Sequence, residues 1–312
     1  MKRSLMVVLA MAMLLTAGRG LAVNGWAVND RAEAPTVVVT IAPFAQIAER
    51  LAGPGATVIV MLRPGQSPHG YEPTPGMVRK IGKADFVAMA GLGLDDWVMK
   101  IARAAGRDRA DVIDLSTTLE EKTLIGEGPS HDSERDHPDH GHGAANPHYW
   151  LDPVMMADAA RYMATRMAEK ATGDEKAALA KRMETLERDL LGLDGEIKKK
   201  LSGVTAGFVA LHGAWGYFAR RYGLRQVGVI EESPGKAASA RRMAQLVGLI
   251  KKRGAAAVIA EPQLSPRLAV TLAEEAGVAV GIADPMGGAP GREGYFKMMR
   301  FNADVFKKAL GK

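Results

Sequence analysis

"TVVVTIAPFAQIAERLAGPGATVIVML" (residues 36–62) sets two β-branched runs, TVVVTI and TVIVML, on either side of a helical stretch at 44–51. Val, Ile and Thr suit a pleated surface, and runs this apolar suit strands buried on both faces. Two such strands joined through a helix form a βαβ unit, and its strands run parallel. The same alternation continues outward. Residues 86–90 (FVAMA) and 111–115 (DVIDL) read as strands, with helical patterns from 77 and over 97–105 between them. After a long helical region it resumes, with strands at 207–211, 226–230, 255–260 and 278–283 and helices at 239–252 and 266–276. The fold class is therefore α/β, built as two (β/α) halves with mostly parallel sheets.

The two halves are separated by two unlike segments. Residues 126–147 form a polar Gly/Pro/His loop without periodicity. Beyond it, Asp152-Pro153 supplies an N-cap and a first-turn proline. A break at Thr172-Gly173 precedes one long helix, whose apolar positions Leu179, Met183, Leu186, Leu190, Leu193, Ile197 and Leu201 step by three and four. At about 1.5 Å per residue such a rod is about 42 Å long, enough to run along both halves. The expected division is a leader at 1–22, a first lobe at 35–172, a linking helix at 173–202 and a second lobe at 203–312.

The chain has 312 residues and opens with Lys2, Arg3 and an unbroken apolar run over 5–15, which is too short to span a bilayer and fits a secretory signal. Removing 1–22 takes away three cations and no acid, so the net charge falls from +6 to +3. That weak, scattered basicity excludes a nucleic-acid binder. No later apolar run is long enough to cross a membrane. The chain has no cysteine, hence no disulfide and no acceptor for a bacterial lipid anchor. The expectation is a soluble monomer in a bacterial periplasm, whose metal chemistry is confined to His and carboxylate ligands. The 17 methionines are read as gap-filling core residues.

Five of the seven histidines fall in "HDSERDHPDHGHGAANPHYWLDP", residues 131–153. His131, His137, His140 and His142 sit among Asp, Gly and Pro on a tether, where fixing each residue costs about 1–2 kcal/mol. They are candidates for a weak accessory metal contact. His148 instead abuts Tyr149, Trp150 and a helix start. The other two, His69 and His212, and also Asp284, lie at or beyond the carboxyl ends of predicted strands, where ligands of open α/β sheets gather. Three imidazoles and one carboxylate would make a tetrahedral set suited to Zn2+. Glu261 follows a strand and is placed to approach the metal, but is read first as serving a loop or helix start, and Tyr149 and Trp150 are read as walls of the cleft.

"SPHGYEPTP" (67–75), "NPHYWLDP" (146–153), "LHGAWGYFARRYGL" (211–224), "AEPQLSP" (260–266) and "ADPMGG" (283–288) resemble the motifs of metal-binding solute-binding proteins of bacterial ABC uptake systems. Their zinc-specific, ZnuA-like branch is the nearest. The resemblance covers the whole chain after the leader, in order. It implies two lobes joined by a rigid helix, a metal held in the interlobe cleft by His69, His148, His212 and Asp284, and delivery of zinc to an ABC permease and its ATPase. Membership of this cell-adhesion-related family implies a binding protein, not an enzyme. Manganese-type members carry a carboxylate where His212 stands, so the imidazole favours zinc. The alternatives are a manganese- or iron-binding member, and a periplasmic zinc hydrolase using three histidines and water. Neither an HExxH nor a G-x-S-x-G motif supports the latter.

Overall fold

In the computed structural model of the chain the described residues are 34–71, 74–126, 145–231 and 238–311. The segment 1–22 expected to be a leader and the four tether histidines, His131, His137, His140 and His142, lie outside them.

Strands Thr36–Val39 (β1), Thr57–Val60 (β2), Phe86–Met89 (β3) and Val112–Asp114 (β4) form one sheet, paired in parallel in the order β2-β1-β3-β4. Strands Gly207–Ala210 (β5), Arg225–Val229 (β6), Ala255–Ala260 (β7) and Ala279–Ile282 (β8) form a second, with the matching order β6-β5-β7-β8. The apolar runs explain the placement: Val37, Val38 and Val39 of central β1 are fully buried, as are Val258, Ile259 and Ala260 of β7. In chain order the helices are Ala45–Ala52 (α1), Pro75–Lys83 (α2), Trp97–Ala104 (α3), Pro153–Ala168 (α4), Gly173–Leu201 (α5), Gly216–Tyr222 (α6), Ala240–Arg253 (α7), Arg267–Ala276 (α8) and Tyr295–Leu310 (α9). The sequence reading placed neither α6 nor α9.

Helix α5 runs for 29 residues. All seven apolar positions of its stripe are buried. Asp174 and Glu175 in the first turn and Lys198, Lys199 and Lys200 in the last oppose the helix dipole favourably. It packs on α1 and α4 from the first half and on α6 and α9 from the second. Arg221 of α6 forks onto Asp194 of α5, with Nε–Oδ1 at 2.7 Å and Nη2–Oδ2 at 2.5 Å.

One apolar core runs through both halves, joining Val37–Val39 to Phe208, Ile259 and Phe306. Helix α9 makes the junction tight, because the Phe296 N–H donates to Gln46 Oε1 of α1 at 3.3 Å. A β-carbon at Gly294, whose φ is +75°, would lie 2.7 Å from that same oxygen. Only glycine fits there. Among the described residues, no helix is long and apolar enough to cross a membrane.

Candidate metal centre

Each sheet has a switch point between its two central strands, β1/β3 and β5/β7, because the connections leave them in opposite directions. His212 follows β5 and enters the turn Gly213–Trp215, while Glu261 follows β7, the neighbouring strand. His69 lies in the turn Pro68–Gly70 beyond β2, where Ser67 Oγ accepts from its N–H at 3.4 Å. His148 directly precedes the turn Tyr149–Leu151, and Asp152 then caps α4 by accepting from the Val154 N–H at 2.9 Å.

One ring nitrogen from each of His69, His148 and His212 falls within 4.8 Å of the other two. His148 Nε2 and His212 Nε2 are 3.3 Å apart. The His69 ring stands 5.5 Å from that of His148 and 5.7 Å from that of His212, between centroids. His148 and His212 are buried and His69 lies at the rim.

Tautomers are set from behind. His148 Nδ1 lies 2.9 Å from Asn146 Oδ1, which also takes the His148 N–H at 3.0 Å. The Asn146 amide nitrogen donates to the Gly213 carbonyl at 2.6 Å, so the amide oxygen is the atom facing His148. His212 Nδ1 lies 2.7 Å from Glu261 Oε1, an acceptor only. Both rings therefore carry the proton on Nδ1 and turn an Nε2 lone pair into the cavity. Carboxylate–imidazole pairs of this kind fix ring orientation and raise ligand basicity at metal sites.

The imidazoles are also held neutral. Withdrawal from water puts the His148 pKa well below 6.5, and the neighbouring His212 and His69 push it the same way. The His69 residue is exposed as a whole, yet its ring faces the other two, and desolvation with His212 beside it lowers its pKa to about 4. Neutral imidazole is the form that binds metals.

Asp284 is not in the group of converging nitrogens and oxygens. Its Oδ1 accepts from Gln263 Nε2 at 2.7 Å, Gly287 N at 2.9 Å and Met286 N at 3.0 Å, and its Oδ2 pairs with Arg292 Nε at 3.2 Å. The loop that follows β8 curls back over its own aspartate, and Pro285 and Met286, not Asp284, line the cavity. Tyr149 and Trp150 do not line it either. They are buried behind His148, with Tyr149 Oη donating to the Ala90 carbonyl at 3.0 Å and Trp150 Nε1 to the Pro285 carbonyl at 2.8 Å. Glu261 serves His212 instead of a helix start. Reading it otherwise missed that β7 lies beside β5, which only the strand order reveals. Asn146 was missed as well, although its place two residues before His148 is the spacing at which an amide reaches forward.

Three ring nitrogens, two of them on rings anchored from behind, can hold one borderline-soft divalent cation. A family model described as ZnuA, zinc-uptake complex component A periplasmic, matches residues 37–309. The zinc-binding lipoprotein AdcA of Streptococcus pneumoniae is 28% identical over 87% of this chain, and the match spans 55% of AdcA. The chain thus covers about half the length of such curated relatives. The high-affinity zinc uptake system protein ZnuA of Bacillus subtilis is 27% identical, over 99% of this chain and 98% of its own length. A crystal structure of ZnuA superposes with a TM-score of 0.76 over 89% of this chain and all of that one, at 24% identity. With its paired parallel sheets, its long helix and a model match from β1 to the end of α9, the chain belongs to the ZnuA family of metal solute-binding proteins, which are not enzymes.

Proposed function

We propose that the protein captures zinc in the periplasm and delivers it to an ABC permease and its ATPase, with His69, His148 and His212 as metal ligands. The observation that carries this reading is the 3.3 Å approach of His148 Nε2 to His212 Nε2. Both nitrogens are lone-pair acceptors, and nothing but a cation reconciles them. Two nitrogens on a tetrahedral zinc at about 2.0–2.1 Å stand about 3.3 Å apart. The family motif adds Asp284 to the set by resemblance, and its engagement with Gln263 and Arg292 makes the three imidazoles the part that geometry supports. An imidazole at 212 in place of a carboxylate favours zinc over manganese or iron.

The accompanying proposals are export through a leader at 1–22, a lobe at 35–172, a linking helix at 173–202, a lobe at 203–312, a monomeric state and a weak accessory zinc contact from the tether at 126–147. The test is a competition titration of the purified protein against a chromophoric chelator with Zn2+ and with Mn2+. Stoichiometric zinc binding at least ~100-fold tighter than manganese supports the reading, and equal affinities would refute it.

A further inference from the structure

A second cleft, of about 750 Å³, lies where the two halves meet and shares no lining residue with the metal cavity. Its walls are α4 and the segment 118–123 from the first half and the end of α6 from the second. A volume of this size falls within the range of small-molecule sites, about 300–1,000 Å³.

The charges in its walls cancel, with one exception. Arg161 gives Nη1 to Asp158 Oδ1 at 2.8 Å and Nη2 to Glu187 Oε1 at 2.6 Å. Arg221 forks onto Asp194 and lies 3.7 Å from Asp152 Oδ1. Glu120 pairs with Lys122 at 2.8 Å. Arg220 has no carboxylate partner among the described residues. Its Nη2 lies 3.7 Å from Met155 Sδ, and its guanidinium carbon stands 5.2 Å from the centre of the Tyr217 ring. A thioether accepts only weakly and the ring carries no charge, so the cation is uncompensated and most of its N–H donors have no protein acceptor.

The same two neighbours hold the guanidinium in place. Tyr217 is itself fixed, because its Oη donates to the Asn146 carbonyl at 2.8 Å and accepts from the Ile125 N–H at 3.1 Å. A planar fork held ready in this way matches a carboxylate with two parallel hydrogen bonds, and the ordering is done before the ligand arrives. Asp152, Asp158 and Glu120 stand in the same walls, so one negative charge is attracted and two are repelled. Leu119, Val154 and Met155 add apolar surface beside the fork.

We propose that this cleft is a second ligand site, which takes a small organic monocarboxylate with its carboxylate forked onto Arg220 and its apolar body against Leu119, Val154 and Met155. An occupant touches both halves at once and leaves the three imidazoles untouched.

The test titrates sodium hexanoate into the full protein by calorimetry, with hexanol and inorganic phosphate as controls. Hexanoate should bind with a Kd at or below ~1 mM, and both controls at least about tenfold more weakly. Arg220→Gln should lose at least about tenfold in hexanoate affinity while its zinc titration stays that of the wild type, which shows that the variant is folded. Leu119→Trp fills the cleft from a different wall and should cost hexanoate as much. Hexanoate binding weaker than ~1 mM in the wild type, a control that binds as well as hexanoate, or a loss under about tenfold in either variant overturns the proposal.

Discussion

His148 Nε2 and His212 Nε2 face each other at 3.3 Å with the protons of both rings held on the far side, by Asn146 and Glu261. The first nitrogen is reached through the segment before α4 and the second through the end of β5, so two independent frames converge on one point. On the proposed three-imidazole site, removing either ring leaves the ion two protein nitrogens. His148→Ala should therefore weaken zinc binding by on the order of 10²–10³-fold, as expected when one of a few ligands shares a total of ~10–16 kcal/mol. Chelator competition on the purified variant checks this, and a change under tenfold would exclude His148 as a ligand.

Glu261 gives a separate prediction, because it acts on His212 from behind. Glu261→Gln keeps the shape but offers an amide that can face His212 Nδ1 with its nitrogen, which favours the wrong tautomer. Zinc affinity should fall about 10–100-fold, the usual cost of losing such a partner. Asn146→Ala should fall in the same range, since it frees both the His148 ring and the tie to Gly213. Calorimetric titration of the two variants would show whether either partner matters.

The pH dependence of zinc binding follows from the depressed imidazoles. An imidazole of pKa 6.5 is about nine-tenths protonated at pH 5.5, and each such proton costs a factor of about ten in affinity. The His69 pKa is lowered to about 4 and that of His148 lies well below 6.5, so neither takes up a proton in that window. The loss between pH 7.5 and 5.5 should be about a hundredfold smaller than three free imidazoles would give. The same lowering acts on folding with a definite sign. In the metal-free protein these two groups cost stability as pH falls below 6.5, where only the unfolded chain protonates them. Zinc titrations and thermal melts at pH 7.5, 6.5 and 5.5 would test both parts, and a thousandfold loss of affinity by pH 5.5 would refute the first.

Arg221 lies between two carboxylates of different elements: Asp194 of α5, and Asp152, the N-cap of α4, whose Oδ1 is 3.7 Å from its Nε. Arg221→Ala would leave both carboxylates buried without their cation. Breaking a buried pair from one side costs about 3–5 kcal/mol, less here because the guanidinium is partly open to water. A loss of about 2–3 kcal/mol should lower the melting temperature by about 4–8 °C. Arg221→Lys should recover only part of it, since the two-pronged geometry is gone. A melt unchanged within a degree would remove the network from the account of how the two halves are joined.

The strands were legible because their signal is local. TVVVTI and AAAVIA have no polar face and form the inner strands β1 and β7, whereas TVIVML, equally apolar, forms the edge strand β2 and is only partly buried. The three histidines were legible from their places at strand and helix ends. Helix α9 was not placed, although Tyr295, Met298, Met299, Asn302, Phe306 and Leu310 repeat at helical spacing and are all buried. The buried Asn302 in that stripe breaks the apolar pattern; its amide donates to the Asp284 carbonyl at 2.8 Å and its oxygen takes the Asp284 N–H at 2.7 Å. Asp284 shows the limit from the other side. Residue type and position fit a ligand, yet a carboxylate goes where its donors are, and Gln263 from the loop after β7 and Met286, Gly287 and Arg292 from the loop after β8 are brought together along paths that no periodicity encodes. Glu261 and Asn146 acquire their roles only once β5 stands beside β7 and the 146–148 segment beside Gly213.

The interlock of Gly294 with Gln46 bears on how cargo leaves. Where an α1 side chain fits against bare backbone at the start of α9, and a continuous hydrocarbon interior lies beneath, swinging one half away from the other would have to expose that shared core. On the proposed reading, unloading then falls to His69, the imidazole of the three that stands at the rim on a three-residue turn, and a recipient of the ion would need to displace only that residue while the scaffold behind it keeps its shape.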